Sequence, residues 1–127
     1  MYELKVVGHF SAAHNLRNYR GRCEELHGHN WMVEVFVEGR ILNKTGMILD
    51  FGDIKRELRK VLKGLDHTYL NEIPAFKRIN PTSENIAKYI YHKLDRSLSS
   101  RSSRLVKVRV WETGTACATY KRNKNID

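Results

Sequence analysis

Residues 30–38 read NWMVEVFVE, a run of β-branched and aromatic residues with partial alternation at period two. That period places successive side chains on opposite faces of a strand, and the stretch is predicted to be one. Upstream, YELKVVGHF at 2–10 has the same character, so the two are expected to pair as a long hairpin or its equivalent. Downstream the period changes. In DIKRELRKVLK, residues 53–63, Ile54, Leu58, Val61 and Leu62, followed by Leu65, fall on one helical face, and Gly64 ends the helix. After the turn signal Asn80-Pro81 a second helix is predicted over 83–98, capped by Thr82 or Ser83, with Ile86, Ile90, Leu94 and Leu98 buried. Its exit, SLSSRSSR at 97–104, is polar and reads as mobile. RLVKVRVWET at 104–113 then alternates at Val106, Val108 and Val110, and beyond a turn at Gly114 CATYKR continues as a last strand.

The order ββααββ predicts an α+β fold: a four-stranded antiparallel sheet with both helices on one face. Strands of this length leave edges that want a neighbour, so assembly by edge pairing is expected. A chain of 127 residues suits one domain, 1–127, with a core large enough to need no staples. The tail KRNKNID, 121–127, is expected to be disordered.

Hydrophobic residues at 41% and charged residues at 29% are ordinary for a soluble protein, and no apolar run reaches the roughly 18 to 20 residues of a membrane span. MYELKVVGHF lacks both a basic n-region and a long apolar h-region, so the expected location is cytoplasmic. The formal net charge of +9 favours anionic partners, phosphates or nucleic acid. Against nucleic acid, no strand interleaves aromatic and basic residues in the manner of RNA-binding sheets. Two cysteines are too few for a disulfide framework. Cys117, in TACATY, reads as a small buried strand residue, whereas Cys23 sits in the polar stretch CEELHGHNW.

His27 and His29, at i and i+2, emerge on the same face of a strand and can share a metal. His14, in FSAAHN, can supply a third ligand if the two strands pair. Three histidines with an open position make the pattern of a catalytic zinc site, whereas structural sites close with four ligands, usually rich in cysteine. Cys23 could be that fourth ligand, or a base beside the open position; a nearby dication together with Arg20 and Arg22 favours its thiolate form. In LDHTYLN, 65–71, Asp66 and His67 are an adjacent carboxylate and imidazole, suited to an acid–base relay or simply to a satisfied loop. Glu112, in WET, is on spacing alone a strand-end acid. A carboxylate there could also accept two parallel hydrogen bonds from an amidine-like edge such as that of a pterin.

Together FSAAH, C-x-x-x-HGH-N, GMILDFGDIK, LDHTYLN, PTSENIA and WET resemble, in order from residue 10 to 120, the 6-pyruvoyl-tetrahydropterin synthase and 6-carboxy-tetrahydropterin synthase family. The resemblance implies a tunnelling fold, with the ββααββ unit assembled edge to edge into a trimeric barrel and two barrels stacked as a hexamer. It implies zinc held by His14, His27 and His29, Cys23 as base, Asp66 and His67 as relay, and Glu112 anchoring the pterin. Thr82 and Ser83 would line the pterin pocket, between subunits. The implied substrate is 7,8-dihydroneopterin triphosphate. Three residues between Cys23 and HGH resemble the carboxy branch, a lyase that releases acetaldehyde and triphosphate and feeds the 7-deazapurine route to queuosine or archaeosine. The pyruvoyl branch has a longer spacing there. Glu24 also fits E-x-x-HGH, which resembles a third branch forming 6-hydroxymethyl-7,8-dihydropterin, so a dual activity is an alternative. Glu24 as a solvated acid near Arg20 and Arg22 is another. Outside the family, the competing expectation is a basic nucleic-acid-binding module with structural zinc.

Overall fold

The computed structural model describes residues 1–123. Strands β1 (Tyr2–His14) and β2 (His27–Gly39) form the expected hairpin, each longer than its apolar run and reaching the histidines at its end. Helix α1 (Phe51–Lys63) and a two-residue strand β3 (Thr68–Tyr69) follow, then two single-turn 3₁₀ helices at Leu70–Glu72 and Pro74–Phe76. Helix α2 (Ser83–Leu98) and the hairpin β4 (Arg104–Thr113) and β5 (Ala116–Lys121) complete the chain. The sheet order is β3-β1-β2-β4-β5. It is therefore five-stranded and mixed, not four-stranded and antiparallel, because β3 pairs in parallel with β1 at Ala12 and Ala13. Two residues carry no readable periodicity, which is why β3 escapes a reading by pattern.

Both helices cover one face, as the apolar stripes require. Trp31, Val33, Val35 and Val37 of β2 are fully buried against Ile54, Leu58 and Leu62 of α1 and Ile86, Ile90, Leu94 and Leu98 of α2. Asp50 caps α1 by accepting from Gly52 N–H, and Thr82 caps α2 by accepting from Asn85 N–H at 3.1 Å. Gly8 lets α1 approach β1 closely, since a Cβ there would lie 2.7 Å from Leu62 Cδ1 and 2.9 Å from Leu58 Cδ2.

Several expectations change. The core residue at the start of β4 is Leu105, with Val106 only half-buried. The ladder with β2 slips between Phe36 and Val37, and Val106 is the extra residue of that bulge. Cys117 is exposed, because β5 is an edge strand and Cys117 pairs with Trp111 on the face the helices leave open. The serine-rich exit is a hydrogen-bonded turn: Ser103 is buried and donates to Leu98 O, while Ser99 Oγ accepts from Leu105 N–H. Of the tail expected to be disordered, Lys121 belongs to β5 and Arg122 pairs with Asp95; residues 124–127 lie outside the described residues.

Candidate metal centre and the cleft beside it

The β1–β2 register sets His14 directly opposite His27 and Ala12 opposite His29. Because strand side chains alternate, all three imidazoles emerge toward the helix side of the sheet, at the end of the hairpin. Trp31 is the floor. It is fully buried, donates to Ala12 O at 3.2 Å, and meets the rings of His14 and His29 edge-on at 5.0 and 5.2 Å between centroids.

Two of the rings are fixed from behind. His14 Nδ1 lies 2.8 Å from Pro81 O and His27 Nδ1 lies 2.9 Å from Glu25 O. Carbonyl oxygens only accept, so in each neutral ring Nδ1 carries the proton and Nε2 presents a bare lone pair. Those two Nε2 atoms face each other at 3.0 Å. His29 Nε2 is buried with no hydrogen-bond partner among the described residues. Burial, outweighing the attraction of Glu112, holds the His29 imidazole below its ordinary pKa, with His14 and His27 adding to the shift, so it favours the neutral, ligating form. Lone pairs converging without protons between them are what a cation satisfies, and three imidazole nitrogens are a donor set that suits zinc.

Glu112 joins this group. Its Oε1 lies 3.1 Å from His14 Nε2 and 3.2 Å from His29 Nε2, and the ligand atoms of all four residues lie within 4.8 Å of one another. Alternation from the buried Val108 and Val110 carries Glu112 to the helix side of β4, the face of the imidazoles, and there the β4–β5 ladder slips between Trp111 and Thr113, with Glu112 the extra residue.

Asp66 and His67 sit across β1 from the histidines. Ser11 N–H donates to Asp66 Oδ1 at 2.8 Å, His67 N–H donates to Ser11 O at 2.6 Å, and His67 Nδ1 meets Asp66 Oδ2 at 2.9 Å. The Ser11 amide, with His67 beside it, holds the Asp66 carboxyl below the usual carboxylate range. His67 has a positive φ of 57°, rarely adopted by residues with a side chain. His67 lines an open cleft with Ser11, Ala13, Gly28 and Asn30, positions that alternate with those of the ligating histidines, so this cleft opens on the helix-free face; the Ser11 and Asn30 side chains are joined at 2.7 Å.

Cys23 is exposed in the connection 15–26. Glu24 is half-buried: its Oε1 accepts from Leu16 N–H at 3.2 Å and stands 3.8 Å from His27 Nδ1. Ser83 opens α2, and the Thr82 hydroxyl is engaged as its cap. Sequence reasoning missed the support of this region. Arg17 donates to the carbonyls of Asn71, Phe76 and Ile79, and Asn80 pairs with the Arg17 backbone through both amide atoms. Together they pin the loop that ends in Pro81, the acceptor of His14. The only signal in the sequence was the Asn80-Pro81 turn.

Residues 3–123 match the family described as 6-pyruvoyl tetrahydropterin synthase. The chain belongs to this family. Among its relatives, the 6-carboxy-5,6,7,8-tetrahydropterin synthase of Synechocystis sp. is 39% identical over 116 residues, 87% of this chain and 86% of that one. The dihydroneopterin monophosphate aldolase of Pyrococcus furiosus is 40% identical over 103 residues, 81% of this chain and 82% of that one. In structure, the Caenorhabditis elegans 6-pyruvoyl tetrahydropterin synthase superposes with a TM-score of 0.83 at 31% identity, covering 96% of each chain. The tetrahydropterin synthase fold read from the ordered motifs is thus the fold observed. Among the described residues no helix is long and apolar enough to cross a membrane.

Proposed function

We propose that the chain is a zinc-dependent 6-carboxy-5,6,7,8-tetrahydropterin synthase, a lyase that converts 7,8-dihydroneopterin triphosphate to 6-carboxy-tetrahydropterin, acetaldehyde and triphosphate. The observation that carries the reading is the convergence of His14, His27 and His29, with bare nitrogens 3.0 Å apart in the case of His14 and His27. The C-x-x-x-HGH spacing and the Synechocystis relative support the carboxy branch.

His14, His27 and His29 would hold the metal. Bound there, zinc supplies Lewis-acid polarisation of the substrate's side-chain hydroxyls. Cys23, exposed on a loop, serves as the base that takes a proton from the carbon chain. Asp66, kept ionised, orients His67 through Nδ1, which leaves Nε2 to pass protons to and from substrate. Glu112 anchors the pterin by its 2-amino and N3 edge, and Thr82 and Ser83 line the pocket. The triphosphate gives the net charge of +9 a task. Among the described residues the outer edge of β1 is paired only at Ala12 and Ala13, and β5 ends the sheet, so open edges support assembly into trimers or hexamers with sites between subunits.

A second reading is cleavage of a dihydroneopterin phosphate to 6-hydroxymethyl-7,8-dihydropterin, favoured by the Pyrococcus relative and by Glu24 at the E-x-x-HGH spacing. Leu16 N–H occupies Glu24 Oε1 and leaves Oε2 as its other acceptor, and the C-x-x-x-HGH spacing ranks this reading second. A nucleic-acid-binding role is disfavoured, because Phe36 on the helix-free face is 5% exposed, with Lys107 and Arg109 over its ring at 4.5 and 5.1 Å. The test is incubation of zinc-loaded protein with the triphosphate and, separately, the monophosphate, with products identified by mass spectrometry. Carboxy-tetrahydropterin with acetaldehyde supports the first reading. Hydroxymethyl-dihydropterin alone replaces it with the second, and no turnover of either substrate overturns both.

A further inference from the structure

Glu112 occupies a position that pterin anchoring does not require: its Oε1 sits among the three imidazoles instead of standing clear of them. The distances have the scale of a coordination shell. Bonds of about 2.0 to 2.1 Å in a tetrahedral zinc site put neighbouring ligand atoms about 3.3 Å apart. The structure has 3.0 Å between His14 Nε2 and His27 Nε2, and 3.1 and 3.2 Å from Glu112 Oε1 to His14 and His29. Three histidines and one carboxylate close such a shell, leaving no position for a substrate hydroxyl.

Glu112 also differs from the histidines in how it is held. His14 and His27 are anchored through Nδ1 by backbone carbonyls, on long, fully paired strands. Glu112 stands in a bulge, and its described contacts are to the metal-facing nitrogens alone. Among the four, it is the one held by neither a backbone carbonyl nor a ring contact.

Resting on the zinc reading above, we propose that Glu112 is an exchangeable fourth ligand: it closes the metal in the resting protein and is drawn off when the pterin ring arrives. Recognition of the ring and opening of the metal then become one event, because a single carboxylate serves both. A compound with hydroxyls but no pterin ring would find the metal closed.

The test uses the full chain loaded with cobalt(II), whose visible d–d bands report coordination, and unsubstituted pterin, which carries the ring without the hydroxylated side chain. In the wild type, pterin should change the cobalt spectrum. Glu112→Ala should start from a spectrum different from the wild type's and show no such ligand loss on adding pterin, and it should bind zinc about 10-fold or more weakly in competition with a chelator. Glu112→Gln, checked with Glu112→Ala for a native far-UV circular dichroism spectrum, guards against a folding artefact and should behave between the two. Equal spectra and equal zinc affinity in wild type and both variants overturn the closing ligand; a wild-type spectrum unmoved by saturating pterin overturns the exchange. A wild type that takes up no stoichiometric metal overturns the zinc reading itself, whereas tight metal binding lost only in His27→Ala leaves that reading standing and removes Glu112 from it.

Discussion

The histidine cluster proposed to hold the metal and the Cys23 loop lie at the same end of one hairpin, yet they are built in opposite ways. His14 and His27 face each other in an unbroken antiparallel ladder, over a fully buried Trp31, with two rings locked by carbonyls. The connection 15–26 holds no strand or helix, and Asn18, Arg20 and Gly21 have positive φ. Metal ligands need positions fixed to fractions of an ångström, which a paired strand supplies. A base must meet a substrate that arrives from outside, and a loop leaves it accessible.

The comparison breaks most sharply by exchanging what each region is expected to lose. His27→Ala should lower zinc affinity by at least about 100-fold and abolish turnover with it, measured by chelator competition and product assay. Cys23→Ala should keep zinc stoichiometry and lose about 10²- to 10⁴-fold in kcat. Metal loss in Cys23→Ala would instead make the cysteine a ligand and the site structural.

Next in size is the buttress between the two regions. Arg17→Ala leaves the carbonyls of Asn71, Phe76 and Ile79 without their donor, and should cost about 2 to 3 kcal/mol in denaturant unfolding. Because that loop carries the acceptor of His14, zinc should also bind about 10-fold more weakly. Gly8→Ala tests the platform away from the site. Its Cβ would meet side-chain atoms of Leu58 and Leu62 under 3.0 Å, and crowding of that kind costs about 1 to 3 kcal/mol with zinc affinity unchanged.

The smallest effect is in pH. With its carboxyl held below the ordinary range by Ser11 N–H and His67, Asp66 binds its proton less readily in the folded chain than in the unfolded one. Its contribution to stability is therefore fully present above the unfolded value, about 3.9, and is lost as pH falls through the lower folded value. Thermal unfolding followed through that acid range should show a shallower decline for Asp66→Asn than for the wild type.

Much of this was legible in the residue order. Period-two runs marked the strands of both hairpins, and helical spacing marked Ile54, Leu58 and Leu62, and Ile86, Ile90 and Leu94, all of which are buried. The i, i+2 spacing of His27 and His29 was enough to place them on one face, and pairing of the hairpin brought His14 to them. Such features depend on local period, which the chain carries wherever it folds.

What only the tertiary structure decided depends on register and on long-range contacts. A bulge of a single unpaired residue exchanged Val106 for Leu105 in the core, and the pairing of β4 beside β2 made Glu112, by spacing a strand-end acid, a neighbour of three histidines. β3 exists because Thr68 and Tyr69 meet β1, and Arg17 matters because a loop more than fifty residues away packs against it. No local pattern encodes where a ladder slips or which carbonyl a distant guanidinium will find, since both are settled by packing of the whole chain.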